Sequence, residues 1–145
     1  MTTTQTKNRG FTLVELLIVI VIIAILTVVS LVAYNGLQNR AKTTAAASAA
    51  ETVAKKAEIY NTESSGYPKD LKTLMKASSD KSYSIGTDVL TAKSEDLTDL
   101  ASKPDEANTI AYGACTDNKG ARIFYWDYGT NKKQTRTVGT CPATP

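Results

Sequence analysis

Apolar and polar positions divide this chain into stretches of different period. From Phe11 to Ala33 the only polar side chains are Thr12, Glu15, Thr27 and Ser30, and Leu16 to Leu26 has none. A run of about 23 residues would span roughly 35 Å as a helix, enough to cross the apolar core of a bilayer. Past Tyr34 the pattern becomes amphipathic. Ala46, Ala50, Val53, Ala57 and Tyr60 recur at spacings of four and three, which places them on one helical face. Lys42, Glu51, Lys55 and Glu58 fall largely off that face. The stripe therefore needs a cover, and its alanines permit close approach of a sheet. Asn35 and Gly36 are weak helix formers and mark a soft point. Gly66 is the expected cap and Pro68 the stop.

After Pro68 the periodicity breaks up. Leu71, Leu74 and Met75 predict a short helix, while Ile85, Val89, Leu90, Leu97 and Leu100 are isolated anchors in a polar, acidic segment. Near the C-terminus the period becomes two. TIAYGACT, ARIFYWDY and KKQTRTVG are separated by Asp117-Asn118-Lys119-Gly120 and Gly129-Thr130-Asn131, which are turn sequences. Three strands with short turns predict an antiparallel meander. In the middle strand Ile123, Tyr125 and Asp127 share one face, and Phe124, Trp126 and Tyr128 share the other. Phe124 and Trp126 are expected to pack on the alanine stripe.

Composition narrows the function. The 145 residues contain no histidine, which removes the commonest general base and the commonest zinc ligand. No nucleophile elbow, phosphate loop or metal-ligand cluster is present, so no catalytic residue and no cofactor are expected. Glu95, Asp96 and Asp99 come nearest to a calcium-binding set, but a solvated acidic loop is the favoured reading. Cys115 and Cys141 are the only cysteines. A bridge is expected if the chain leaves the cytoplasm, with two free thiols as the other reading. The net charge is +3, and without Lys7 and Arg9 it is 15 basic against 14 acidic residues, or +1. A uniformly basic nucleic-acid binder is not indicated.

The first 33 residues admit three readings. A secretory signal has a shorter apolar stretch and a small-residue cleavage site, and neither is seen. A plain membrane anchor fits the length, with Lys7 and Arg9 holding the N-terminus in the cytoplasm. It leaves Glu15 unexplained, because an ionisable residue in the apolar region costs roughly 2.5–3.5 kcal/mol and usually has a partner. The third reading rests on the string Gly10-Phe11-Thr12-Leu13-Val14-Glu15, which resembles the leader junction of type IV pilin precursors.

That resemblance runs through the apolar stretch to Tyr34, about the first quarter of the chain. It implies cleavage between Gly10 and Phe11 by a prepilin peptidase, N-methylation of Phe11, and a role for Glu15 in assembly. In a helix Glu15 lies on one face with residue 11, so its carboxylate could neutralise the new amine there or on a neighbouring subunit. The family usually has a proline where Val32 stands, and often a glycine where Ala24 stands. Their absence predicts a straighter helix.

The fold implied is α+β: a long N-terminal helix packed on a C-terminal antiparallel β-sheet, the pilin fold. The expected divisions are a leader at 1–10, a transmembrane or filament-core helix at 11–34, an amphipathic half at 35–66, a connecting loop at 67–108, and a sheet with a disulfide-bounded tail at 109–145. The function implied is a filament subunit of a type IV pilus for adhesion, twitching motility or DNA uptake. The implied partners are further copies of the chain, a membrane assembly platform and an ATPase. The chain would sit in the inner or cytoplasmic membrane as a single pass before assembly and in an extracellular filament afterwards. A pseudopilin of a secretion or competence system shares the leader and helix. A DNA-binding minor pilin is the third alternative. It draws on Lys119, Arg122, Lys132, Lys133 and Arg136 with interleaved aromatics, but nucleic acid is the least favoured partner.

Overall fold

A computed structural model describes residues 10–142. The leader expected at 1–10 lies outside the described residues except for Gly10, and so do Lys7 and Arg9. The chain divides into two compact units, one ending at Leu37 and the other beginning at Gln38.

In the first unit the chain enters helix α1 (Leu13–Ser64). Helical bonding continues without a break through Ala24, Val32, Asn35 and Gly36, so the expected soft point is helical. Every large apolar side chain among the described residues here is exposed, from 47% at Val21 to 89% at Phe11. Covering each one is worth about 1.5–3 kcal/mol, so nineteen of them strongly favour lipid or a partner over water. The Thr27 hydroxyl is satisfied locally and donates to the Ile23 carbonyl at 2.7 Å. Such a back-bond removes a bare hydroxyl from an apolar setting.

In the second unit α1 buries Ala46, Ala49, Ala50, Val53, Ala54 and Ala57, so the predicted stripe holds and is widened by Ala49 and Ala54. Strands β1 (Ala111–Ala114), β2 (Gly120–Asp127) and β3 (Lys132–Gly139) form an antiparallel meander in sequence order. The helix packs against this three-stranded sheet, giving an α+β fold. Ala121 and Ile123 of β2 and Val138 of β3 share one core with Ala50, Val53 and Ala57.

The expectation for Phe124 and Trp126 is corrected. Alternation allows only one face of β2 to meet the helix, and it is the face of Ala121, Ile123 and Tyr125. Ala121 and Ile123 fit against the close-set alanines, and Tyr125 packs at the margin of the core. Phe124 and Trp126 lie on the opposite face. There the Lys133 ammonium sits 5.1 Å from the Phe124 ring centre, and the Trp126 indole donates to Asn131 at 3.4 Å.

The helix cap is also corrected. The left-handed residue after α1 is Ser65, with φ 56°, not Gly66. The Ser65 N–H bonds the Asn61 carbonyl at 2.9 Å.

The connecting segment contains the predicted short helix α2 (Lys72–Met75) and a 3-10 turn (Ala92–Asp96). Leu71, Leu74, Ile85, Leu90 and Leu100 are buried, and Val89 packs on the core from a partly exposed position. A buried hydroxyl group organises the rest. Ser94 accepts from the Ile110 N–H at 2.9 Å, and Thr91 lies within hydrogen-bond reach of both Ser94 and Thr109. Tyr112 on β1 donates its hydroxyl to the Pro68 carbonyl at 2.9 Å. The Tyr112 N–H bonds Leu97, so the segment also covers part of the outer edge of β1.

Candidate functional site

Residues 10–15 form a compact helix start. Thr12 precedes the first helical residue, Leu13, and Glu15 stands three positions after Thr12. The Glu15 Oε2 accepts from both the Thr12 N–H and the Thr12 hydroxyl, each at 2.8 Å. The Glu15 N–H donates back to Thr12 Oγ1 at 3.2 Å. This reciprocal pattern is a capping box, which satisfies donors that every helix N-terminus leaves free. The T-x-x-E spacing was available in the sequence, but the reading of Glu15 as a partner for an amine passed over it.

The expected helical i, i+4 relation between Phe11 and Glu15 does not arise here. Phe11 precedes the cap and is not helical, so Thr12, not residue 11, is the local partner of Glu15. Gly10 and Phe11 are both exposed. A side chain at Gly10 would meet nothing within 4 Å. Packing and backbone conformation therefore place no demand for glycine there.

The second unit distributes the other nominated residues. Cys115 and Cys141 form a disulfide with their Cα atoms 5.5 Å apart, closing a loop with a sequence separation of 26. It ties the tail to the β1–β2 turn. The basic residues nominated for nucleic acid do not share one surface. The β2–β3 register pairs Arg122 with Thr137 and Trp126 with Lys133, which puts Arg122 and Lys133 on the face of Phe124. Lys132 and Arg136 pair with Asp127 and Ile123 on the helix-facing side. Three of the five nominated side chains are engaged within the chain. Arg122 donates to the Pro142 carbonyl at 2.5 Å, Lys133 pairs with Asp99 at 2.6 Å, and Arg136 pairs with Glu51 at 2.8 Å.

The acidic set is drawn to lysines. Glu95 lies 2.5 Å from the Lys76 ammonium and 3.1 Å from that of Lys72. Those two bonds hold the Glu95 carboxyl below its ordinary range, and the Lys133 bond does the same for Asp99. Among the described residues no group of three or more histidine, cysteine or carboxylate side chains is placed to hold a metal.

Asp127 latches the β2–β3 turn to the helix. It accepts from the Thr130 hydroxyl at 2.7 Å and from the Gly129 N–H at 2.9 Å. The Thr43 hydroxyl of α1 lies 3.1 Å from Asp127 and accepts from the Tyr128 N–H at 2.9 Å. The sequence reading missed this latch because Thr43 and Asp127 are 84 positions apart.

Comparison with known proteins bears on the first unit. Residues 5–31 match the family model for the prokaryotic N-terminal methylation motif. That motif is the class III leader of type IV pilins and prepilins. The first segment thus carries the motif found in type IV pilin-like proteins, pilins and pseudopilins alike. The motif points to a structural protein rather than an enzyme, and in general to prepilin peptidase processing. The apolar helix fits membrane anchoring of a prepilin. No curated protein and no solved structure matches the chain.

Proposed function

We propose that this chain is a structural subunit of a type IV pilus. The observation that carries the reading is the methylation motif at residues 5–31, on a segment whose described large apolar side chains, from Phe11 to Leu37, are all exposed. A prepilin peptidase cuts between Gly10 and Phe11, and Phe11 is then N-methylated. The helix waits in the membrane, and a platform with its ATPase transfers it to the filament, where like helices replace lipid around it.

The Thr12–Glu15 box gives Glu15 two states in this scheme. Alone in the membrane, its carboxylate is satisfied by Thr12 and the cost of the charge is reduced. In the filament, a neighbour's terminal amine competes for the same oxygen and sets register. A pseudopilin would use the same leader and helix, so the two readings part on the product.

Electron microscopy of producing cells, with and without the chain, tests this. Long surface filaments that vanish on deletion are expected, and short envelope-spanning structures alone would favour the pseudopilin. Glu15→Ala is expected to insert and be processed but to yield few filaments. Normal filament numbers from it would remove Glu15 from assembly.

A further inference from the structure

Charges on the second unit can be sorted by whether they are already paired. Glu51 holds Arg136, with Lys55 at 3.7 Å, Glu95 holds Lys72 and Lys76, and Asp99 holds Lys133. Lys42 and Lys103 lie over the Tyr128 ring, at 5.7 and 5.3 Å from its centre.

The remainder is uneven. One flank of α1 carries Arg40, Thr44, Ala47 and Glu51, spaced by four and three and thus aligned along the helix. Glu51 reaches Arg136 of β3, and Lys132 shares a sheet face with Arg136. Arg40 and Lys132 are exposed and make no ion pair among the described residues. The flank on the other side of the buried alanine stripe bears a groove of about 440 Å³. It is lined by Ala45, Ser48 and Thr52 of the helix and by Asp88, Val89 and Asn108 of the connecting segment. Asp88 and nearby Glu106 are exposed and make no ion pair among the described residues.

We propose that the Arg40–Lys132 flank of one copy docks on the Asp88–Glu106 groove of the next. Arg40 and Lys132 are cationic and Asp88 and Glu106 anionic, and complementary charges steer encounter and fix register. The groove walls are small side chains, so a lysine stem can lie along them while its ammonium reaches the rim. The two patches differ, so the contact is heterologous. Such contacts propagate into an open helical array when the rotation does not close. The inference rests on the filament reading above and names its intersubunit surface.

The test uses the full chain in cells that assemble it. Zero-length carbodiimide treatment of filaments should join Lys132 of one subunit to Glu106 or Asp88 of another, read by mass spectrometry. Arg40→Glu with Lys132→Glu should lower filament yield about tenfold or more, as should Asp88→Lys with Glu106→Lys, because like charges then meet. The fourfold variant, which restores opposite signs, should recover most of the yield. All four sites are exposed, and an intact Cys115–Cys141 bond in each variant checks folding. Filaments that lack this cross-link, reversals without effect, or a fourfold variant that stays defective would each overturn the docking surface and leave the filament reading standing. A processed wild-type chain that never polymerises would overturn both.

Discussion

At the residue scale, three backbone positions show where side-chain chemistry and conformation disagree or agree. Ser65 takes a left-handed conformation at the end of α1 although glycine is the next residue. Ser65→Gly should therefore stabilise the protein by about 1 kcal/mol, since glycine adopts that conformation without the Cβ penalty. A rise in the thermal midpoint of the full chain in micelles checks this. Gly139 is the converse, with φ 66°. An added Cβ would also lie 2.6 Å from the Tyr67 ring and against the Lys119 carbonyl. Gly139→Ala should cost about 2–4 kcal/mol, combining positive-φ strain with overpacking. Gly66→Ala is the control, because a Cβ there meets only the Asn118 carbonyl at 3.7 Å. Equal midpoints for the two alanine variants would refute the distinction.

At the scale of elements, α1 docks through alanine. Ala50 is fully buried and shares its cluster with Ile123 and Val138. Ala50→Leu should push the sheet away and cost about 1–3 kcal/mol, whereas the same change at exposed Ala45 should be nearly neutral. Urea titration of both variants decides this. The connecting segment is held differently, by charge. Asp99, Glu95 and Asp127 are held below their ordinary range by bonds from Lys133, from Lys76 and Lys72, and from Thr130 respectively. The unfolded chain binds protons at these groups more readily. Their contribution is therefore present above the ordinary carboxylate range and lost as pH falls through the lower folded values. The thermal midpoint should drop on acidification, and Lys133→Gln should flatten part of that drop. A midpoint indifferent to acid would contradict the pairing.

At the scale of the whole molecule, the two units ask for different surroundings. The first leaves its large apolar side chains exposed, while the second has its own core and one covalent closure. For a loop of this length the disulfide contributes roughly 3–4 kcal/mol by constraining the unfolded chain. Cys115→Ser with Cys141→Ser should lower the unfolding free energy from urea titration by that amount and leave the chain folded in the cold. A variant that unfolds at low temperature would mean that the bridge, rather than the alanine-lined core, carries the second unit.

Much of this was legible in residue order. The apolar run, the alanine stripe and the three strands all follow from local periodicity and composition, because each is a one-dimensional pattern set by helix or strand geometry. The T-x-x-E box at Thr12 was equally local and could have been read. What the tertiary structure decided is of another kind. Which face of β2 meets the helix depends on how volumes fit across the layer, and alternation alone leaves two choices. The Thr43–Asp127 latch and the Ser94 hydroxyl group join residues far apart in sequence. The sorting of Lys133, Arg136 and Lys132 into paired and unpaired cations depends on strand register. Local pattern names the elements, and only their packing in three dimensions decides which side chains meet.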